Sequence, residues 1–212
     1  MFPPSAGPGL VSCSTLQELP EAVGRSSALS PFPGSGLRPG AGGLRTGSLA
    51  VLQTIADQYR TAVLVPVSRG STWDGVRDGF GPDIDVIDRA PHRAFDAVAV
   101  DPERIGIAGF SDGASYALGP GLANGDLFGH VIAFSPGFIP SAARRGQPRI
   151  LISHGVTDPV LPIDRTSRRF VPALQQTGYD VTYLKFDDAH TVPLDIARKA
   201  AEWLGWNDPP AG

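Results

Sequence analysis

Short apolar runs rich in β-branched residues alternate with stretches of helical periodicity from residue 47 onward. The runs predict five strands, at residues 61–67, 104–109, 130–135, 149–153 and 180–186. Apolar residues spaced three or four apart predict helices at 48–59 and 83–95. Further helices are predicted at 112–122, where small residues follow a serine turn, at 163–178 and at 192–203. Strands that alternate with helices are typical of an α/β fold with a mostly parallel sheet flanked by helices.

The first 43 residues have a different composition. Seven prolines and eight glycines make up 15 of these 43 residues, and chains above roughly 25–30% Pro plus Gly are usually irregular. We therefore expect no strand before residue 60, so the N-terminal strands of the sheet would be reduced or missing. The predicted organisation is an irregular segment at 1–43, an α/β domain at 44–206 and a tail at 207–212. An exposed sheet edge left by the missing strands gives the hypothesis of a homodimer.

Composition and charge exclude several classes of function. A length of 212 residues fits one domain, and a net charge of −3 offers no basic field for nucleic acid. No run approaches the ~18 apolar residues of a membrane span. The N-terminus lacks the features of a signal peptide, so we expect a cytoplasmic location. Cys13 is the only cysteine, which excludes an intrachain disulfide and a cysteine metal cluster.

The segment Gly109-Phe110-Ser111-Asp112-Gly113 lies between a predicted strand and a predicted helix. This is the Gly-x-Ser-x-Gly pattern of a nucleophile elbow, in which a sharp turn lifts the serine hydroxyl out of the sheet. The two glycines allow the strand and helix backbones to approach closely. A glycine-rich turn with a capping serine has the same pattern, so the choice depends on a base and an acid elsewhere in the chain.

Four histidines are candidates for the base that a serine nucleophile needs. His190 follows the last predicted strand, at the carboxyl edge of the sheet where ligands bind. His154 ends an earlier strand, a position that also suits a buried, hydrogen-bonded turn residue. His92 lies on a predicted helix, and His130 begins a strand at the opposite edge. We prefer His190, because the chain order Ser, Asp, His is the one expected for a triad at such an elbow.

Asp158 is the preferred carboxylate to orient that histidine and stabilise its charged form. It follows the strand predicted at 149–153 and therefore lies at the same edge. An Asx-turn is the structural alternative for this residue. Asp187 and Asp188 share a short loop with His190 and are equally suited to solvent, whereas Asp164 is suited to capping the following helix.

An oxyanion intermediate needs at least two N–H donors. The residue after the nucleophile, Asp112, is expected to supply one. The nearest match to a glycine-rich donor loop is the segment at 39–43, although no predicted strand leads into it. Trp73 and Phe110 are candidates for lining an acyl pocket, with plain core packing as the alternative.

Five segments together resemble one known family. They are the segments at 65–74, 109–113, 133–137, 153–160 and 186–190. With them the chain resembles bacterial carboxylesterases of the phospholipase/carboxylesterase group in the α/β-hydrolase superfamily, in the branch related to acyl-protein thioesterases and polyhydroxybutyrate-depolymerase-like esterases. The resemblance covers about residues 40–204. It implies Ser111 as nucleophile, Asp158 as acid, His190 as base, and the N–H groups of Ala41 and Asp112 as oxyanion donors.

The function expected from these observations is a serine esterase that cleaves small to medium acyl esters through an acyl-enzyme. No metal or organic cofactor is required, and the partner is a small-molecule ester. A thioesterase, lysophospholipase or peptidase would use the same residues. A non-catalytic, hydrolase-like binding protein is a further alternative, because the family's usual strand ending in His-Gly is replaced here by the proline-rich segment at 29–40.

Overall fold

The computed structural model describes residues 7–13, 62–64, 81, 83–85 and 100–205. Within these residues the strands are β1 (Gly7–Cys13), β2 (Ala62–Leu64), β3 (Val100–Phe110), β4 (His130–Phe134), β5 (Arg149–Gly155) and β6 (Val181–Phe186). The helices are α1 (Asp112–Ala123), α2 (Ser167–Gln176) and α3 (Leu194–Leu204), and a 3-10 turn spans Ile163–Arg165. The strands form one parallel sheet in the order β2-β1-β3-β4-β5-β6. The predicted fold class is confirmed.

The strand β1 corrects the expectation that no strand precedes residue 60. It lies between β2 and β3 and pairs in parallel with both, so it occupies the position that the sequence left empty. Its register with β3 shifts between Gly7 and Gly9, at Pro8, because proline cannot donate to the ladder and is tolerated at such irregularities. The composition of residues 1–43 does not predict β1, because this strand is stabilised by hydrogen bonds to partners far along the chain and not by local propensity.

The same register shift accounts for the start of β3. Val100 pairs with Gly7 and Ile105 with Gly9, so the residues at 101–104 bulge opposite Pro8. Asp101 stabilises this bulge by accepting hydrogen bonds from the Arg104 side chain at 2.7 Å and from the backbone N–H of Glu103 at 3.0 Å. The strand predicted at 104–109 is therefore longer than predicted and begins with an irregular stretch at 101–104.

Helices cover both faces of the sheet, which explains why β4 and β5 are buried along almost their whole length. In β5, Ile150 and Ile152 belong to the core formed with α1 and α2. Leu151, between them, belongs to the core formed with α3. Among the described residues, no helix is long and apolar enough to cross a membrane.

The helix predicted at 163–178 is interrupted. Thr166 has φ −123° and ψ −105°, outside the helical region, and separates the 3-10 turn from α2. Its hydroxyl donates to the carbonyl of Pro162 at 3.0 Å, which satisfies a backbone acceptor locally. Of the helix predicted at 83–95, residues 83–85 are described and are helical. The rest of that helix, the predicted helix at 48–59 and the predicted boundary at residue 43 lie outside the described residues.

His130, the first residue of β4, gives a pH-dependent stability that can be measured. Burial, and secondarily the charge of Arg149, lower the pKa of His130 from 6.5 to about 4. The folded protein thus takes up this proton less readily than the unfolded chain does. We expect the free energy of unfolding to fall as the pH is lowered from 6.5 to about 4.

The variant His130→Phe serves as the comparison, because it replaces the titrating imidazole with an uncharged ring. In the unaltered protein the centre of the His130 ring lies 5.5 Å from that of Trp203, edge-on, and phenylalanine keeps a ring at this position. Denaturant unfolding across this pH range should show a smaller loss of stability for the variant. If the free energy of unfolding depended on pH equally in the two proteins, His130 would not be the source of the pH dependence. All other histidines are present in both proteins and cancel in the difference.

Candidate active site

Ser111 occupies a strained turn between the end of β3 and the start of α1. Its backbone has φ 57° and ψ −120°, a region that residues with a side chain rarely adopt. Its N–H donates to the carbonyl of Phe134 at 2.9 Å, and its carbonyl accepts from Ala114 and Ser115 at 3.1 and 3.0 Å. These hydrogen bonds to β4 and α1 hold the turn in its strained conformation.

Gly109 shows why the elbow needs glycine. A Cβ at this position would lie 2.2 Å from the carbonyl oxygen of Gly113, far inside van der Waals contact. The strand and helix backbones therefore approach as closely as the spacing of the two glycines predicted.

Ser115, one turn along α1, links the elbow to the loop that follows β4. Its hydroxyl donates to the carbonyl of Ser111 at 3.2 Å and accepts from the N–H of Gly137 at 2.8 Å. The side chain is fully buried. Ser115 was not among the residues predicted from the sequence, and the one signal for it is its place one turn after Ser111, on a helix made otherwise of small and apolar residues.

His190 and Asp158 are brought to Ser111 from two different loops. The Nε2 atom of His190 lies 2.8 Å from the Ser111 hydroxyl oxygen, and its Nδ1 atom lies 2.6 Å from Oδ2 of Asp158. An ionised carboxylate only accepts, so Nδ1 carries the proton and Nε2 accepts from the serine hydroxyl. The three residues form a continuous hydrogen-bonded chain at the carboxyl edge of the sheet.

The environment of Asp158 keeps its carboxyl group ionised. The side chain is fully buried, and burial alone would raise its pKa. The backbone N–H of Leu161, the ring of His190 and the N–H of Val160 overcome that effect and hold the pKa of Asp158 below its ordinary value of 3.8. The two N–H groups donate to Oδ1 at 2.9 and 2.8 Å, which leaves Oδ2 for His190.

Gly155, at the end of β5, lets the two loops cross. A Cβ there would lie 2.2 Å from the carbonyl oxygen of Ala189 and 2.3 Å from that of Asp188. The N–H of Thr157 also donates to the Asp188 carbonyl at 3.2 Å. The segment carrying His190 therefore rests directly on the segment carrying Asp158, a contact that the sequence alone did not indicate.

Most of the rejected alternatives take the positions that their structural interpretations required. His154 is fully buried and hydrogen-bonded, and His130 begins β4 at the opposite edge. Asp187 and Asp188 are exposed. The capping role considered for Asp164 is wrong, because neither the 3-10 turn nor α2 has a side-chain cap; Asp164 forms an ion pair with Arg168 instead.

The remaining predicted site residues are only partly described. The ring of Phe110 lies 4.7 Å from that of His190, and Asp112 is the first residue of α1. Ala41, Trp73 and His92 lie outside the described residues.

A family model described as phospholipase/carboxylesterase matches residues 84–206, more than half of the chain. The chain belongs to the phospholipase/carboxylesterase family. It is a carboxylic ester hydrolase of the α/β-hydrolase superfamily, as the resemblance implied. No curated protein matches the sequence.

Solved structures agree with the fold of this phospholipase/carboxylesterase family member. Esterase PE8 is 20% identical, with a TM-score of 0.66 over 94% of this chain and 93% of that one. A phospholipase/carboxylesterase from Dyadobacter fermentans is 19% identical, with a TM-score of 0.61 over 94% and 90%. FphF, a fluorophosphonate-binding serine hydrolase from Staphylococcus aureus, is 14% identical, with a TM-score of 0.67 over 98% and 86%. At these identities the likeness concerns the fold alone.

Proposed function

We infer that this protein is a serine esterase in which Ser111 is the nucleophile, His190 the general base and Asp158 the orienting acid. The observation that supports this proposal is the unbroken chain of hydrogen bonds from Ser111 through His190 to the buried Asp158. The three residues come from three different turns or loops, and the carboxylate of Asp158 is fully buried. Such a chain is therefore not the incidental contact of neighbouring surface residues.

Acylation follows from these contacts. The Ser111 oxygen attacks the ester carbonyl while its proton passes to Nε2 of His190. The ionised Asp158 stabilises the resulting imidazolium through Nδ1–H. His190 then returns the proton to the alkoxide leaving group, which departs as the alcohol and leaves the acyl group on Ser111.

Deacylation uses the same residues with water in place of the alcohol. His190 removes a proton from the water, whose oxygen attacks the acyl carbon, and returns the proton to the Ser111 oxygen as the acid is released. The free enzyme is regenerated with every proton accounted for. No metal or organic cofactor enters either step.

The oxyanion formed in each step needs N–H donors. We propose the backbone N–H of Asp112, at the positive N-terminal end of α1, together with that of Ala41. Loss of one such donor typically costs ~10²–10³ in kcat. Phe110 and Trp73 are proposed to line the acyl pocket, and the position of Phe110 beside the His190 ring supports its part in this.

A substrate panel tests the proposed reaction. Turnover should be compared for p-nitrophenyl esters from acetyl to octanoyl, the matching acyl thioesters and a peptide p-nitroanilide. We expect oxygen esters of small to medium chain length to have the highest kcat/KM. Higher values for thioesters would favour a thioesterase, and absence of turnover from folded protein on every substrate would favour a binding protein.

Assembly and location stay predictions from the sequence. Light scattering on the purified protein tests the homodimer, and a monomeric mass would contradict it. Fractionation of the source cells tests the cytoplasmic location.

A further inference from the structure

His154 is a buried histidine that the proposed reaction does not use. It is the sixth residue of β5, and its side chain is fully buried beside the equally buried carboxylate of Asp158. Its Nδ1 atom lies 2.5 Å from the hydroxyl oxygen of Ser167 on α2. Its Nε2 atom lies 2.8 Å from the carbonyl oxygen of Leu161 and 3.2 Å from Oδ2 of Asp158.

These partners determine which ring nitrogen carries the proton. A carbonyl oxygen only accepts, so Nε2 must carry the hydrogen, and Nδ1 accepts from the Ser167 hydroxyl. The Nε2–H therefore donates to the Leu161 carbonyl, and Oδ2 of Asp158 lies 3.2 Å from the same nitrogen. This is the same oxygen that accepts from His190, whereas Oδ1 is held by backbone N–H groups.

The ring is neutral, so it acts on Asp158 as a dipole and not as a charge. Burial lowers the pKa of His154 below 6.5, against the opposing effects of the Leu161 carbonyl and Asp158, while the charge of His190 lowers it further. The contacting residue on α2 is the uncharged Ser167. On β6 the register neighbour is Lys185, whose ammonium lies 5.9 Å from the centre of the Tyr183 ring.

We propose that His154 is a positioning residue of the active site, whose Nε2–H donates to Oδ2 of Asp158 and moderates the pull of that carboxylate on His190. This inference rests on the proposed function, since it assigns His154 a part in setting the proton affinity of the base. His154 also holds the loop at 158–161 together. Its Nε2 atom lies 3.2 Å from the Asp158 carboxylate at the start of this loop and 2.8 Å from the Leu161 carbonyl at its end.

Removing the Nε2–H group of His154 is expected to shift the acid limb of the pH profile upward. With one hydrogen bond fewer, Oδ2 bears more of the negative charge that faces His190, and the imidazolium of His190 is stabilised. The base then holds its proton to higher pH. The acid limb of the kcat/KM profile, which reports the base in the free enzyme, moves upward.

Three variants separate this effect from a loss of packing. His154→Met fills the space without a donor, His154→Gln keeps an N–H group near the Nε2 position, and Ser167→Ala breaks the same buried network at the end away from Asp158. We expect the acid limb of p-nitrophenyl ester hydrolysis to rise by about 0.5–1 pH unit in His154→Met. It should move less in His154→Gln and stay unchanged in Ser167→Ala. An unshifted limb in folded His154→Met, or an equal shift in Ser167→Ala, would overturn the proposal.

A measurement on the unaltered protein decides the matter if His154→Met does not fold. Nitrogen-15 NMR of the histidine rings at pH 7 should show His154 neutral and protonated at Nε2. Finding it protonated at Nδ1, or at both nitrogens, would overturn the proposal. The result is independent of turnover, so failure of the esterase assignment, seen as full activity in Ser111→Ala, is distinguishable from failure of this inference.

Discussion

Replacing Ser111 with alanine is expected to lower kcat for p-nitrophenyl ester hydrolysis by roughly 10⁴–10⁶. The substitution removes the hydroxyl oxygen that forms the acyl-enzyme in the proposed reaction, while the Cβ at the strained turn is kept. Stability should change little, because the hydrogen bonds that hold the turn come from the backbone of Ser111. The measurement is steady-state kinetics on protein whose folding has been checked by circular dichroism.

Ser135 offers a matched control. It too has a positive φ, of 50°, and follows the strand next to β3, but its hydroxyl is buried and has no hydrogen-bond partner among the described residues. Ser135→Ala should keep near-normal turnover. Equal losses in the two variants, or retained activity in Ser111→Ala, would contradict the assignment of the nucleophile.

Replacing Asp158 with asparagine is expected to lower kcat by roughly 10⁴. The amide oxygen must take the Oδ1 position, because the N–H groups of Val160 and Leu161 donate there. The NH₂ group then faces Nδ1 of His190 and forces that nitrogen to accept. The proton of His190 moves to Nε2, where it prevents the ring from taking a proton from Ser111.

Asp187→Asn is the control for this second variant. Asp187 is exposed and lies only three residues before His190. It therefore shows whether a carboxylate close to His190 in sequence matters when it lacks the buried contact that Asp158 makes with Nδ1. Kinetics with the same ester should show near-normal kcat for Asp187→Asn. A larger loss in Asp187→Asn than in Asp158→Asn would mean that the acid has been misassigned.

The part of the fold from residue 100 to residue 205 was predictable because its signals are local. Most strands there contain a short apolar run, and α2 and α3 carry an apolar face at a helical period. The helix α1 is buried on all sides and was predicted from the elbow pattern that precedes it. The choice of Ser111, Asp158 and His190 needed two further rules. The first is the chain order Ser, Asp, His that is expected for a triad at such an elbow, and the second is the common edge of the sheet. Residues that follow parallel strands meet at one edge of the sheet, and the structure does bring these three side chains together there.

The strand β1 was not predictable, because its stability is not encoded in its own residues. Its sequence begins Gly-Pro-Gly and contains few residues with high strand propensity. It is a strand because β2 and β3 offer hydrogen-bonding partners on both sides. A composition count over residues 1–43 cannot register such long-range pairing.

The residues that support the site depend on three-dimensional contacts of the same kind. Gly155 is one of 26 glycines in the chain, and only the crossing of two loops reveals why a side chain is excluded there. His154 was correctly interpreted as buried and hydrogen-bonded, but its contact with Oδ2 of Asp158 depends on how the loop at 158–161 folds back.

The most direct test of the account is to map the site at which a fluorophosphonate probe reacts. The reagent phosphonylates serine hydroxyls that a neighbouring base activates, and mass spectrometry of the digested protein identifies the modified residue. We expect a single stoichiometric adduct on Ser111 that is lost in His190→Ala. Absence of labelling in the folded protein, or an adduct on another serine, would contradict it.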